Sequence, residues 1–334
     1  MPASGFLARV VALLTFIMVS AVAGAESGHA EVRGWLDRMA QAVETLNYRG
    51  VLVHWQEGRV DSLRIIHRAD ENGFSERIYS LDGEVREILR DGNSIRCLLP
   101  GDQPLILQSQ LANRLMPKLP LNRLGSPESA YEMTMGERER VAGMMTQVIE
   151  IKPLDQYRYG YRLWLEEETG MLLRSALMNE QGRPLQQVSF ATIELDAQIT
   201  DSELEPELDP ALMTELPAAD EIPSSRPINP DQASWLPPRV PPSFELVKVG
   251  TGESQAGYGF EHLVFSDGLA SFSIYVEEGE SGARRGRIKS VGPVHIYTSS
   301  LDGRQITVVG EVPLMTVQYI GRSLRRSTEH HRTH

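Results

Sequence analysis

Cysteine is almost absent from the sequence, which has Cys97 alone among 334 residues. An internal disulfide framework and a zinc site built from several cysteines are therefore excluded. Positive charge is also scarce, because 33 Lys and Arg residues stand against 45 Asp and Glu residues and give a formal net charge of −12. A general nucleic-acid binder needs a basic face to neutralise phosphates, so this balance argues against that class.

Signatures of common catalytic sites are missing as well, since the sequence has no GxSxG, HExxH or Walker A motif and no EF-hand loop. Each absence removes a signature rather than a whole class of enzymes. The run Glu166-Glu167-Glu168 does not form an acid–base pair, because neighbouring strand side chains point to opposite faces. We expect a solvated strand end there. The sequence predicts no catalytic residues, no cofactor and no metal site.

Long apolar runs are absent after the first 25 residues. Within them, Arg9 is followed by an apolar run over 10–19 and then by Ala23-Gly24-Ala25, which is the order of a signal peptide. The run is shorter than the roughly 20 residues that span a bilayer. We expect cleavage after Ala25 and export to the periplasm of a Gram-negative cell; the alternative is an uncleaved N-terminal anchor.

An acidic, proline-rich segment divides the rest of the chain. Residues 201–231 contain nine acidic residues, one basic residue and six prolines. Such a composition buries little and repels itself, so it predicts an extended linker. The sequence therefore predicts a large domain over 26–200, a small domain over 232–326 and a disordered tail over 327–334.

The large domain has the pattern of a helix followed by a long antiparallel meander. Apolar residues at spacings of three and four predict one helical face made of Val32, Leu36, Met39, Val43 and Leu46. Short alternating segments with glycine turns then predict strands, and residues 100–140 interrupt them with prolines that include Pro104, Pro117, Pro120 and Pro127. The small domain repeats the strands and ends in a helix after Pro313.

A basic cluster stands out in this acidic protein. Arg284, Arg285, Arg287 and Lys289 place four positive charges within six residues of the small domain. The cluster is a candidate for gripping an acidic partner, a phosphate-bearing lipid or a membrane surface. The alternative is a solvated loop balanced by the acidic residues just before it.

Several separated segments of the sequence resemble the MucB/RseB family of periplasmic sigma-factor regulators. They are DQYRYGYRLWLEEETGMLLRSALMNEQGRPLQQVSF (155–190), WLPPRVPPSFELV (235–247), LVFSDGLASFSIYVE (263–277) and ITVVGEVP (306–313). The resemblance covers nearly the whole chain after residue 25, with weaker matches over 100–140 and in the tail. It implies a mainly β (α+β) protein. The large domain would be an open β half-barrel with helices, similar to the LolA/LolB carriers, and the small domain an antiparallel sheet with a C-terminal helix.

The resemblance also implies a role without catalysis. The protein would bind the periplasmic domain of a transmembrane anti-sigma factor and shield it from regulated proteolysis. Mislocalised lipopolysaccharide or lipoprotein, caught in the large domain, would release it. A periplasmic carrier or chaperone for lipids and lipoproteins is the main alternative, and an envelope hydrolase with unrecognised residues is a third. The resemblance does not specify the oligomeric state, and a homo-oligomer is one of the alternatives.

A half-barrel that holds an acyl chain needs an apolar inner face. Two alternating sets of strand residues fit this need, and one inner face can bury only one of them. The first set is Val51, Val53 and Trp55; the second is Tyr161, Leu163 and Leu165. Met133 and Met135 are predicted to lie in an adjustable lid together with the excursion over 100–140, because flexible thioethers suit variable apolar ligands.

Overall fold

The structure is a computed structural model. It describes residues 28, 30–71, 73–83, 86–91, 94–98, 130–207, 209, 214–216, 225–253, 257–278 and 286–327. The predicted signal peptide, most of the excursion over 100–140 and the tail beyond 327 lie outside these residues. The described part of the chain forms two large antiparallel sheets, a two-stranded sheet and a few helices.

The first sheet follows an N-terminal helix, α1, over 30–45. Its strands are β1 (Tyr48–Gln56), β2 (Arg59–Asp70), β3 (Gly73–Ser80), β4 (Glu87–Asp91), β5 (Ser94–Leu98), β6 (Tyr131–Val141), β7 (Met144–Pro153), β8 (Gly160–Glu166), β9 (Leu172–Met178), β10 (Pro184–Leu195) and β11 (Thr214–Leu216). The order is β11-β5-β4-β3-β2-β1-β10-β9-β8-β7-β6. Two meanders are thus joined through the pairing of β1 with β10, and the described sheet is open.

The two faces of this sheet differ in what covers them. Val32, Leu36 and Met39 of α1 are buried in one cluster with strand residues such as Leu52 and Leu163, so α1 packs on that face. We call it the helix-covered face. The strand register places arginines on the opposite, outer face, at Arg49, Arg64, Arg77, Arg162 and Arg174. The amphipathic helix predicted from the sequence therefore determines which face becomes the core.

The described part of the acidic segment 201–231 is less extended than its composition predicts. It contains helix α2 (Asp201–Leu204), β11, β12 (Ser225–Pro227) and a 3-10 helix (Pro230–Gln232). Three ion pairs attach its first residues to the outer face: Asp201–Arg68 (2.6 Å), Glu203–Arg49 (2.9 Å) and Glu207–Arg77 (3.7 Å). β11 then extends the first sheet and β12 the second. Three of its acidic residues therefore pair with arginines of the first sheet.

The second sheet is smaller and has one helix packed on it. Its remaining strands are β14 (Glu245–Glu253), β15 (Gly259–Ser266), β16 (Ser271–Glu278), β17 (Arg287–Val291), β18 (Val294–Leu301) and β19 (Arg304–Gly310), in the order β12-β14-β15-β16-β19-β18-β17. Helix α3 (Leu314–Ser323) buries Val317 and Ile320 against it. A Cβ at Gly321 would collide with the Tyr297 ring, so glycine permits this close approach.

A two-stranded sheet joins the two ends of the small domain. β13 (Trp235–Leu236) pairs antiparallel with β20 (Arg325–Arg326). The backbone N–H of Ser327 donates to the carbonyl of Ser234 at 2.8 Å. The segment that follows β12 therefore lies beside the last described residues of this domain.

Glu166 is a correction to the expected solvated strand end. Its side chain is buried, and its carboxylate accepts hydrogen bonds from the backbone N–H groups of Glu168 and Thr169 at 3.1 and 2.7 Å. These bonds, together with one from the Thr169 hydroxyl, hold the pKa of Glu166 below its usual value although burial opposes the shift. The carboxylate closes the turn between β8 and β9.

Candidate binding surfaces

The eight candidate acyl-cavity residues do not share one face. Direct pairing of Met133 with Ile151 and of Ile151 with Tyr161 places β6 and β8 candidates on the helix-covered face. Met135, Leu163 and Leu165 lie there too. Val51, Val53 and Trp55 of β1 lie on the outer face, since Leu52 between them belongs to the core. The structure therefore brings five of the eight together and separates the other three.

The five residues on the helix-covered face differ in burial. Leu163 and Leu165 are fully buried and Met133 is 3% exposed, all in the cluster that includes α1. Met135 and Tyr161 are half-buried and border that cluster. An apolar ligand would therefore meet Met135 and Tyr161 first and would reach the leucines only if side chains or α1 moved.

A cleft of about 410 Å³ lies at the ends of β7, β8 and β9. Tyr161, Met178 and Pro153 supply apolar surface, while Lys152 and Glu180 lie among its polar lining. Its wall also includes Asp155, which belongs to the connection between β7 and β8. The cleft thus links the border of the large core with the loop that meets the second sheet.

That loop carries a buried ion pair between the two domains. Arg158 is fully buried and its guanidinium donates to the carboxylate of Asp267, which is 1% exposed. It also donates to Asp155 at 3.0 and 3.1 Å and to the carbonyl of Pro242 at 2.6 Å. The Tyr131 hydroxyl donates to Asp267 at 2.9 Å. We call Tyr131, Asp155, Arg158 and Asp267 the junction cluster.

Asp267 also accepts hydrogen bonds from its own domain. Its other oxygen accepts the backbone N–H groups of Leu269 and Ala270 at 2.8 and 2.7 Å. The Arg158 guanidinium additionally lies 4.6 Å from the centre of the Phe244 ring, a cation–π contact. Burying a charge is expensive unless it is paired and hydrogen-bonded, and both charges here meet that condition.

Neutral contacts surround the junction cluster. The Thr316 hydroxyl of α3 donates to the carbonyl of Tyr157 at 2.8 Å, and the Tyr159 hydroxyl lies 3.1 Å from Nε2 of His295. Burial raises the pKa of Tyr159 and lowers the pKa of His295, so both are uncharged near neutral pH. The junction therefore concentrates its charge on Arg158 and its carboxylates.

The basic cluster is partly a strand and not a loop. Arg284 and Arg285 lie outside the described residues, whereas Arg287 and Lys289 belong to β17. All five residues of β17 are exposed, and the strand forms one end of the seven-stranded sheet. The second half of the cluster is therefore exposed, as the solvated-loop alternative expects, but it lies on a strand instead of a loop.

His262 is a buried polar residue whose ring nitrogens have no hydrogen-bond partner among the described residues. Its ring stacks on Tyr275 with centroids 4.0 Å apart. Burial lowers the pKa of His262 to about 3, so the ring is neutral at physiological pH. It lies on the sheet face opposite α3 and acts there as an aromatic packing residue.

The described residues contain neither a cluster of metal ligands nor a membrane-spanning helix. No group of three or more His, Cys, Asp or Glu side chains in the described part is placed to hold a metal ion. In the same part of the chain, no helix is both long enough and apolar enough to cross a membrane.

Comparison with known families covers both domains. The family model described as the MucB/RseB N-terminal domain matches residues 31–208, and that of the MucB/RseB C-terminal domain matches residues 229–325. The chain belongs to the MucB/RseB family. The predicted family is therefore confirmed, and both matches lie in the predicted order along the chain.

Members of the MucB/RseB family resemble this chain over nearly its whole length. Sigma factor AlgU regulatory protein MucB of Pseudomonas aeruginosa is 29% identical over 93% of this chain and 96% of that protein. Sigma-E factor regulatory protein RseB of Haemophilus influenzae is 27% identical over 95% of this chain and 98% of that protein. These relatives are named as regulatory proteins of sigma factors.

Solved MucB structures show the same fold. The complex structure of Pseudomonas aeruginosa MucA/MucB matches with a TM-score of 0.72 and 25% identity, covering 90% of this chain and 100% of the matched chain. A crystal structure of MucB in complex with MucA(peri) matches with a TM-score of 0.68 and 27% identity, covering 89% and 99%. The predicted mainly β fold with open sheets is confirmed.

Sequence reasoning missed the junction cluster in this MucB/RseB protein. Asp155 and Arg158 stand in a polar stretch, DQYRY, which has the composition of an exposed loop. The signal available was the resemblance of 155–190 to the family, since a loop with binding or positioning roles is where such likeness is informative. The partner Asp267 lies 109 residues away from Arg158, beyond any local pattern.

Proposed function

We propose that this protein binds the periplasmic domain of a membrane anti-sigma factor and thereby keeps an envelope-stress sigma factor inactive. The observation that carries this proposal is the full-length match, in both domains, to proteins named as sigma-factor regulators. A MucB of the same fold has been solved in complex with MucA. Such a role requires binding surfaces and no reacting groups.

The proposal includes protection of the bound anti-sigma factor from regulated proteolysis. A shield must cover the cleavable segment with a rigid surface, because a mobile cover would expose the segment part of the time. The fully paired junction cluster supports this property, since it fixes the two sheets relative to each other. The exposed cations of β17 offer an electrostatic surface for the partner.

Release by a lipid or lipoprotein signal is the second part of the proposal. The cleft of about 410 Å³ has Tyr161 and Met178 in its lining and Asp155 in its wall. An acyl chain bound there would lie beside both the large core and the junction loop. Ligand and partner would then be coupled through one structural element, as a release mechanism requires.

The lipid step is tested by titrating the full mature chain with a diacylated lipopeptide or lipid A. We expect saturable binding that Met178→Asp weakens strongly, because it places a charge in the cleft. Val60→Asp is the matched control, since Val60 is 60% exposed. Equal binding by both variants would show that the lipid binds outside this cleft.

Export to the periplasm belongs to the same proposal. The order of charged, apolar and small residues over 1–25 supports cleavage after Ala25. Mass spectrometry of the mature protein should show Glu26 at the N-terminus. A retained Met1 would contradict export by a cleaved signal peptide.

The regulatory role is tested in cells and with purified protein. Deleting the protein should raise transcription from an envelope-stress promoter under non-inducing conditions, and the purified mature chain should bind the periplasmic domain of the anti-sigma factor. An unchanged reporter in the deletion strain, together with no binding in solution, would refute the proposal.

A carrier or chaperone for lipids and lipoproteins is the second candidate. The apolar helix-covered face and the cleft beside it favour this function. A carrier, however, has no evident need for the second sheet that the junction cluster holds in place. A pull-down from the periplasm separates the two: an anti-sigma factor as main partner supports regulation, whereas lipoproteins as main partners support carriage.

A further inference from the structure

Strand β17 presents a free backbone edge in the described part of the chain. It is the last strand of the seven-stranded sheet and is paired there with β18 on one side. All five of its residues are exposed, with Ile288 at 47% and Val291 at 41%. Unpaired N–H and C=O groups on an edge strand are a template for another strand.

The hairpin geometry identifies which backbone groups point outward. Val291 pairs with Val294, so the turn contains two residues, Gly292 with a φ of 56° and Pro293. The closing pair of such a hairpin is hydrogen-bonded, and bonded and non-bonded pairs alternate along antiparallel strands. Lys289 and Arg287 therefore bond inward to β18, while Ile288 and Ser290 direct their N–H and C=O groups outward.

The side chains of this edge carry positive charge at alternate positions. Arg287 and Lys289 lie two residues apart and so on the same face of the sheet. Neither has an ion pair with another described residue. A strand added beside β17 would place its own alternate side chains directly opposite them.

We propose that β17 accepts an extended acidic segment of the partner as an additional strand, with carboxylates at alternate positions facing Arg287 and Lys289. This inference rests on the proposed function and specifies how the partner binds. Main-chain hydrogen bonds would supply affinity, and the alternating charges would fix register and specificity.

Two other occupants fit the edge less well. A second copy of β17 would bring Arg287 and Lys289 close to like charges, which destabilises strand pairing. The acidic segment of this chain enters the sheet at β12, which lies at the opposite end from β17. An acidic strand from another protein is therefore the occupant that charge favours.

The decisive variant is Ile288→Pro in the full mature chain. Proline removes the outward N–H without breaking a bond to β18, and edge strands tolerate it. Ile288→Val is the matched control, since it keeps the N–H. The probe is a ten-residue peptide with Glu at every second position and Thr or Val between, compared with a peptide of equal composition in which the Glu residues are contiguous.

We expect the alternating peptide to bind better than the contiguous one. Ile288→Pro should weaken its binding about tenfold and Ile288→Val by less than twofold. The double variant Arg287→Glu, Lys289→Glu should no longer bind the Glu peptide and should bind a peptide with Lys at the same positions. This charge reversal leaves the backbone intact and so keeps the test valid if Ile288→Pro fails to fold.

The periplasmic domain of the anti-sigma factor is measured in parallel. Equal binding of it to Ile288→Pro and Ile288→Val overturns strand addition while leaving the proposed function standing. If that domain does not bind the wild type but the alternating peptide binds as expected, the edge site is supported and the proposed partner is wrong. Equal binding of both peptides to all variants would show that Arg287 and Lys289 merely protect an edge from aggregation.

Discussion

Arginine serves opposite purposes in two regions of this molecule, the junction cluster and the β17 edge. Arg158 is fully buried and its guanidinium contacts hydrogen-bond acceptors and an aromatic ring, whereas Arg287 is exposed and has no ion pair with the described residues. A buried, satisfied charge fixes one geometry because any other leaves it unpaired. An exposed charge acts at a distance on an approaching partner. The difference separates residues that hold the domains from residues available to bind.

The largest expected effect comes from breaking the junction cluster. Arg158→Ala should lower the free energy of unfolding by about 3–5 kcal/mol, because Asp267 would remain buried without its counter-ion. Urea denaturation of the full chain measures this loss. Arg158→Met combined with Asp267→Asn removes both charges and should recover more than half of it. A single variant within about 1 kcal/mol of wild type would show that water reaches the cluster.

A smaller effect is expected when one neutral donor of the junction is removed. Tyr131→Phe takes away the hydroxyl that donates to Asp267 at 2.9 Å and leaves the ring in place. A hydrogen bond to a charged group contributes about 1.5–3 kcal/mol, so urea denaturation should show a loss in this range. Tyr319→Phe is the control, since Tyr319 is 37% exposed and should change stability little. Equal losses in both variants would argue against a special role for the Asp267 bond.

The third prediction concerns the pH dependence of stability, because the structure buries the neutral ring of His262. Above its unfolded pKa of about 6.5, His262 is neutral in both states and has no effect. As the pH falls from there towards the folded pKa of about 3, the unfolded state alone gains the proton. Stability should therefore fall by up to about 1.4 kcal/mol per pH unit from this residue.

His262→Phe should remove that contribution to the pH dependence. The phenyl ring can keep the stacking on Tyr275 and has no nitrogens to satisfy. Denaturation of both proteins between pH 4.5 and 8 measures the difference, in which the other titrating groups cancel. If the free energies of unfolding of the two proteins change in parallel with pH over the whole range, His262 gains its proton in the folded protein as well.

The smallest effect on stability is expected at the basic cluster. Changing Arg284, Arg285, Arg287 and Lys289 to Ser should alter the free energy of unfolding by no more than about 0.5 kcal/mol, because the two described members, Arg287 and Lys289, are exposed. Association with the anti-sigma factor should nevertheless slow, and most at low salt. Arg239→Ser is a control at another exposed cation of the same domain. Unchanged association rates at low ionic strength would place the partner surface elsewhere.

Alternation along the chain predicted the strands and their two faces but not which face is buried. Val51 and Val53 and the pair Leu163 and Leu165 have the same pattern, and both sets are apolar. Which set is buried depends on the face on which α1 packs, and that is decided by tertiary structure. Composition likewise predicted a free acidic segment, because the arginines that receive Asp201 and Glu203 are far away in sequence. Local patterns specify elements, whereas long-range pairing specifies their surroundings.

The candidate site was predictable to the same extent. The basic cluster was recognised because four cations are adjacent in sequence, although its second half is an edge strand. Arg158 was not recognised, since Asp267 and the carbonyl of Pro242 come from another domain. A buried charge has no signature of its own in a polar loop. It becomes identifiable only when the partner is brought beside it by folding.

The pairing of β13 with β20 places the end of the small domain beside a segment that lies close to its beginning, just after β12. Domains with adjacent termini tolerate circular permutation and insertion into other proteins. A short tether between Ser327 and Ser234, whose backbones are hydrogen-bonded, would close residues 234–327 into a ring that omits only the edge strand β12 of the second sheet. New ends could then be opened in a distant surface turn such as Asp302-Gly303. The small domain is in this sense a transferable module, and the junction cluster is the set of contacts that attaches it to the first sheet.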